Sequence, residues 1–152
     1  MTAIHNHKLD CFDEIVATIA RTEKKSFEMY LSLAWNCSQI KRYNKQLGNK
    51  EIESPIRDFR LLKFIHGIAC EAVNKPKIDI SVLRTLVKEN KYVSVNFDTY
   101  LCPWDKNYMI NHNYYHAVII NRVDKDQGAV YISDPFYEKW YQPISFETFN
   151  NA

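Results

Sequence analysis

Apolar residues recur at helical spacing early in the chain. Cys11, Phe12, Ile15, Val16 and Ile19 share one face, Asp10 stands where a cap belongs, and Asp13 stands where a capping-box acid would sit. The pattern predicts a helix over 11–21. Phe27, Tyr30, Leu31, Leu33, Ala34 and Trp35 predict a second helix opening at Ser26, and the polar stretch 38–53, which holds Gly48, reads as a connection. Two further helices are expected over 56–68 and 81–89. The period then changes to alternation. In YVSVNFD (92–98), Val93, Val95 and Phe97 take one face, as in a half-buried strand. Strands are also predicted over 115–123 (YHAVIINRV) and 129–133 (AVYIS), joined by the turn-forming DKDQG, with a short strand at 138–141 before Ser145 opens a last helical turn. Helices first and strands afterwards is the order of an α+β domain, with segregated layers.

Three side chains in this framework bear chemistry. Cys11 opens the first helix, where unpaired N–H groups and the positive end of the dipole favour a thiolate. The alternative is a cysteine of an amphipathic core face. His116 begins the long apolar strand, and Asp134 ends the next one. With a five-residue loop, Val123 pairs with Ala129, His116 lies opposite Phe136, and Asp134 falls diagonally on the face of His116. A four-residue loop would turn Asp134 away. Asp134-Pro135 read alone is a turn initiator. Cysteine on the first helix, then a distant histidine on a strand and an acid on the following strand, is the order of thiol proteases. The oxyanion would be met by the Cys11 backbone N–H and by one of His5, Asn6 or His7.

Asp98, with Tyr100 and Trp104 after it, either lines such a site or caps the turn that follows its strand. His112 and His116 are four apart, as are His7 and Cys11. On a strand that spacing holds its ligands too far apart, so no metal centre is expected. His66, in an apolar helix, reads as a core histidine.

The stretches HNHKLDCFDEIVATIA, VSVNFDTYLCPW, YHAVIINRV and VYISDPFY together resemble the N-terminal domain family named after butirosin biosynthesis protein H. More distantly, they resemble the leader-peptidase domains of bacteriocin exporters. Both groups are papain-like, so the resemblance implies a papain-like fold with Cys11, His116 and Asp134 as the catalytic set. The exporter peptidases carry a glutamine upstream of the cysteine and a glycine just after it, where this chain has His5 and Phe12. Asp98, Tyr100 and Trp104 instead match the D-x-Y-x-x-P-aromatic stretch of the butirosin-type family, whose namesake moves an acyl group from a carrier-protein thioester to an amine. The resemblance implies acyl transfer or hydrolysis on a thioester or amide in natural-product biosynthesis, with an acyl- or peptidyl-carrier protein or a peptide as partner. Trimming of a peptide precursor and non-catalytic recognition are the alternatives. Because proteins of that family usually continue past this domain, 1–152 reads as a single domain that can belong to a longer protein.

Composition narrows the partners. A chain of 152 residues, 46% hydrophobic, can bury a core of its own. The net charge of +2 comes from 20 basic and 18 acidic residues spread along the chain, which gives nucleic acid no basic stripe. With 3 glycines, a phosphate-cradling loop is ruled out by scarcity, and no cofactor is expected. No apolar run nears the roughly 20 residues of a membrane span, and the first residues lack a signal-peptide pattern, so the expectation is a cytoplasmic protein without membrane contact. Four cysteines at irregular spacing suit free thiols.

Overall fold

The computed structural model describes residues 10–25, 59–71 and 79–152. The predicted helix opening at Ser26, the connection at 38–53, and His5, Asn6 and His7 lie outside them. The described residues group into two compact units, one holding 10–19 and 79–152, the other 20–25 and 59–71.

Helix α1 spans Cys11–Thr22. Asp10 caps it, its carboxylate accepting the Asp13 N–H at 2.9 Å and its carbonyl the Glu14 N–H at 3.0 Å. In the second unit, α2 (Phe59–His66) stops at Gly67, whose φ of 63° suits a residue without a Cβ, and Lys25 Nζ donates to the Gly67 carbonyl. In the first unit follow α3 (Ile80–Glu89), β1 (Val93–Phe97), a 3₁₀ turn (Thr99–Leu101), β2 (His116–Asp124), β3 (Ala129–Asp134), β4 (Lys139–Ser145) and α4 (Phe146–Asn151). The strands form one antiparallel sheet in the order β1-β2-β3-β4. Among the described residues the predicted helices and strands are present, and the α+β class holds.

The first five residues of β2, His116–Ile120, are all buried, because both faces of the strand are covered. Ala117 and Ile119 pack with Cys11, Ile15 and Ile19 of α1. Val118 and Ile120 pack with Leu83 of α3, Val130 and Ile132 of β3, and Ile144 of β4, with Phe146 and Phe149 of α4 against them. Each fully buried aliphatic side chain contributes about 1.5–3 kcal/mol. Pro143 lies on β4, an edge strand, where its missing N–H breaks no ladder on the open side.

The register departs from the expected one and then returns to it. Asp124 pairs with Ala129, so the β2–β3 loop is the four residues 125–128 rather than five. Continued unchanged, that pairing would set Asp134 across from Ile119 and turn it off the His116 face. Asn121 has no partner, and beyond it the ladder runs Ile120 with Ile132 and Ile119 with Ser133. This bulge restores the alignment that a five-residue loop would have given. A second irregularity falls between Ile132 and Asp134 on the β4 side. Ser133 joins the two: its fully buried hydroxyl donates to Asn121 Oδ1 at 2.7 Å and accepts the Tyr141 N–H at 3.2 Å.

Ser133→Ala should therefore cost about 1–3 kcal/mol, by leaving two polar groups without their partner. Urea denaturation measures this, and an unchanged midpoint would mean that the bulges hold without the hydroxyl.

Candidate active site

The Cys11 sulfur lies against the opening of β2. Its thiol donates to the Tyr115 carbonyl at 3.2 Å and accepts the Ala117 N–H at 3.3 Å, so the residues on either side of His116 hold it. Cys11 is half-buried at the first position of α1, where its own N–H has no partner within the helix.

His116 is buried, and its Nε2 lies 2.6 Å from Asp134 Oδ2. That oxygen also accepts the Trp104 indole N–H at 2.8 Å, and Asp134 Oδ1 takes the Tyr137 N–H at 3.4 Å. A carboxylate at Nε2 fixes the proton there and leaves Nδ1 as the basic nitrogen. The ring of His116 is walled by Tyr137 at 5.6 Å and by the edge of Phe136 at 6.1 Å.

Burial pulls the His116 pKa down, but hydrogen bonds to Asp134 and to Cys11 outweigh it and lift the value to about 9. The carboxylate thus favours a charged imidazolium inside the protein. Cys102 sits beside this pair: its sulfur, a His116 ring nitrogen and an Asp134 oxygen all lie within 4.8 Å of one another. Burial, and then the charge of Asp134, push the Cys102 thiol up to about 12. Two cysteines therefore flank one histidine, but only Cys11 is open to solvent; Cys102 is completely buried. Cys102, His116 and Asp134 offer one ligand atom each within reach of a common ion, while one Asp134 oxygen is already shared by His116 Nε2 and the Trp104 indole.

Of the residues singled out in the sequence, Cys11, His116 and Asp134 are brought together. Trp104 meets them from the side, half-buried, as a donor to Asp134 rather than as an open surface. Asp98 caps the 3₁₀ turn through the Tyr100 N–H at 3.1 Å and also binds His112 Nδ1 at 2.6 Å. Burial raises its pKa, but the bonds from His112, Tyr100 and Asn113 win and hold the carboxyl below its usual range. Tyr100 stacks on His112. His66 is buried in α2, as its apolar surroundings imply.

Cys102 is the neighbour of His116 that sequence reasoning missed. Its spacing carried no motif, and only the turn after Asp98 brings it under His116. A depression of about 160 Å³ between the end of α3 and β2 is lined by Val87, Asn90, Lys91 and Tyr92, among others, and holds no thiol, imidazole or carboxylate. Among the described residues no helix is long and apolar enough to cross a membrane. Comparison with protein-family models, curated proteins and solved structures finds no match to this chain.

A histidine whose pKa is raised on folding stabilises the native state fully below its unfolded value of about 6.5, and loses that contribution as the pH climbs through about 9. The melting temperature of the wild type should fall over that interval. Asp134→Asn, which removes the anion that favours the imidazolium, should flatten the fall. Parallel melting curves across this pH range measure the difference; curves of the same slope would disconnect His116 from Asp134.

Proposed function

We propose that this chain is a papain-like, cysteine-dependent acyl-transfer enzyme, in which Cys11 is the nucleophile, His116 the proton carrier and Asp134 the group that orients the imidazole. The observation that carries this reading is the placement of a solvent-accessible sulfur at a helix N-terminus beside His116, whose far nitrogen is tied at 2.6 Å to a buried carboxylate. Access favours Cys11 over the buried Cys102 in this reading.

In the proposed reaction the Cys11 proton is already carried on Nδ1 of His116, as the imidazolium that Asp134 favours, and the sulfur, as the thiolate, attacks the carbonyl carbon of a thioester or amide. The Cys11 N–H supports the oxyanion; the second donor, sought among His5, Asn6 and His7, belongs to residues outside those described. His116 returns its proton to the leaving thiol or amine, which leaves an acyl group on Cys11. An amine or water then attacks that acyl carbon, gives its proton to His116 and releases the sulfur. Trp104 holds Asp134 in place through its indole N–H and limits water around the carboxylate. The resemblance to the butirosin-type family supports a carrier-linked thioester as donor and a biosynthetic setting.

Intact-protein mass spectrometry after exposure to acyl thioesters, with an aminoacyl N-acetylcysteamine thioester as the first probe, should give one adduct, on Cys11. Cys11→Ala should abolish that adduct and lower turnover by about 10³-fold or more. Cys102→Ser should acylate within about tenfold of wild type, since that thiol supports packing and not attack. Acylation of Cys102 instead would reassign the nucleophile. Cleaved backbone from a peptide pool, with thioesters untouched, would move the reading to a peptidase.

A further inference from the structure

Cys102 is a completely buried thiol that the acyl-transfer scheme leaves without a part. Its sulfur accepts the backbone N–H groups of Trp104 and Asp105, the second and third residues after it. The Asp105 N–H also meets the Cys102 carbonyl at 3.0 Å, which closes the turn around the sulfur. Two N–H groups converging on one sulfur favour the thiolate, the form in which cysteine binds metals. The nearby Asp134 carboxylate works the other way, and a cation set between the two would satisfy both. The Cys102 sulfur, a His116 ring nitrogen and an Asp134 oxygen lie within 4.8 Å of one another, on three buried residues. Tetrahedral zinc, at about 2.0–2.3 Å from N, O and S ligands, holds them roughly 3.3–3.8 Å apart, inside that limit. Asp134 brings two oxygens to this place: Oδ2 serves His116 and Trp104, while Oδ1 takes the Tyr137 N–H at the longer 3.4 Å. Pro103, beside Cys102, is exposed, so the turn that carries the sulfur lies at the surface and gives an ion a short way in.

We propose that Cys102, His116 and Asp134 form a site for one soft divalent cation of the zinc class, and that its occupation switches off the chemistry proposed for Cys11. The binding site stands on its own geometry; the switch rests on acyl transfer at Cys11. Thiolate, imidazole and carboxylate together suit zinc and not magnesium, which takes oxygen ligands and keeps its waters. Three protein ligands leave a fourth position for water. As the ion binds, Cys102 gives its thiol proton to water and ligates as the thiolate. His116 ligates as the neutral imidazole, and its extra proton returns to the Cys11 sulfur. Cys11 is then a neutral thiol beside a histidine that no longer carries protons for it.

The test uses the full chain, stripped with EDTA and titrated with zinc chloride under native mass spectrometry. One ion should bind to the wild type and, within about threefold in affinity, to Cys11→Ala, whereas Cys102→Ser should weaken it by about 10²-fold or more. Cobalt(II) reports the sulfur directly: its thiolate-to-metal absorption should appear in Cys11→Ala and be absent from Cys102→Ser. Saturating zinc should slow acylation of wild-type Cys11 by an aminoacyl N-acetylcysteamine thioester about 10²-fold. EDTA should restore the rate, and Cys102→Ser should acylate alike with and without the ion. Wild-type zinc affinity in Cys102→Ser, loss of binding in Cys11→Ala, or unchanged acylation at saturating zinc would each overturn the proposal and leave acyl transfer standing. Asp134→Asn, which removes the anionic ligand, is read for binding in place of Cys102→Ser should that variant not fold. Absence of any adduct on wild-type Cys11 would remove the acyl-transfer reading, and the binding and absorption measurements would still decide the site.

Discussion

The contact on which the rest of the candidate site depends joins an imidazole nitrogen to a carboxylate oxygen at 2.6 Å, with both side chains withdrawn from water. Neither partner is comfortable there alone. Leaving one charge of such a pair buried without the other typically costs about 3–5 kcal/mol. The surroundings reflect this, since Trp104 and the Tyr137 N–H supply further donors to Asp134. The same carboxylate keeps the ring oriented and biases it toward the charged form, so one interaction sets both the geometry at Cys11 and the electrostatics around it.

Much of this was legible in the sequence because it follows from local rules. Helix α1 could be read from its apolar stripe and Asp10, and the alternation at Val93, Val95 and Phe97 marked β1. The position of Cys11 at a helix start needed nothing beyond that stripe. The sequence pattern puts His116 and Asp134 on one face, but through a loop length that the hairpin does not have. The hairpin is one residue shorter than DKDQG suggested, and the bulge at Asn121 puts the residue back. No period or turn rule signals a bulge inside an apolar strand. Its support comes from Ser133 and Tyr141, which pair with it only once β4 is in place.

What the sequence could not show was which side chains share a neighbourhood without sharing an element. Cys102 and Trp104 lie in one irregular turn, yet one ends as an enclosed thiol beside His116 and the other as a donor to Asp134. From the sequence Asp98 reads as either a cap or a site residue, and it does cap the turn while also binding His112. In the sequence His112 reads only as a potential metal ligand, because spacing alone says nothing about stacking between two tyrosines. Residues in loops are placed by tertiary contacts, and periodicity has no purchase on them.

The compensation between hairpin length and bulge has a consequence for how this fold tolerates change. A one-residue insertion in the β2–β3 loop and a one-residue deletion at Asn121 each flip the parity of the strand, and made together they cancel. Homologous chains can thus differ by a gap at each of two places seven or fewer positions apart along one hairpin and still present imidazole and carboxylate to each other. Because both changes fall between His116 and Asp134 and cancel, the spacing of imidazole and carboxylate is unchanged, and only the residues between Asn121 and the loop shift their columns.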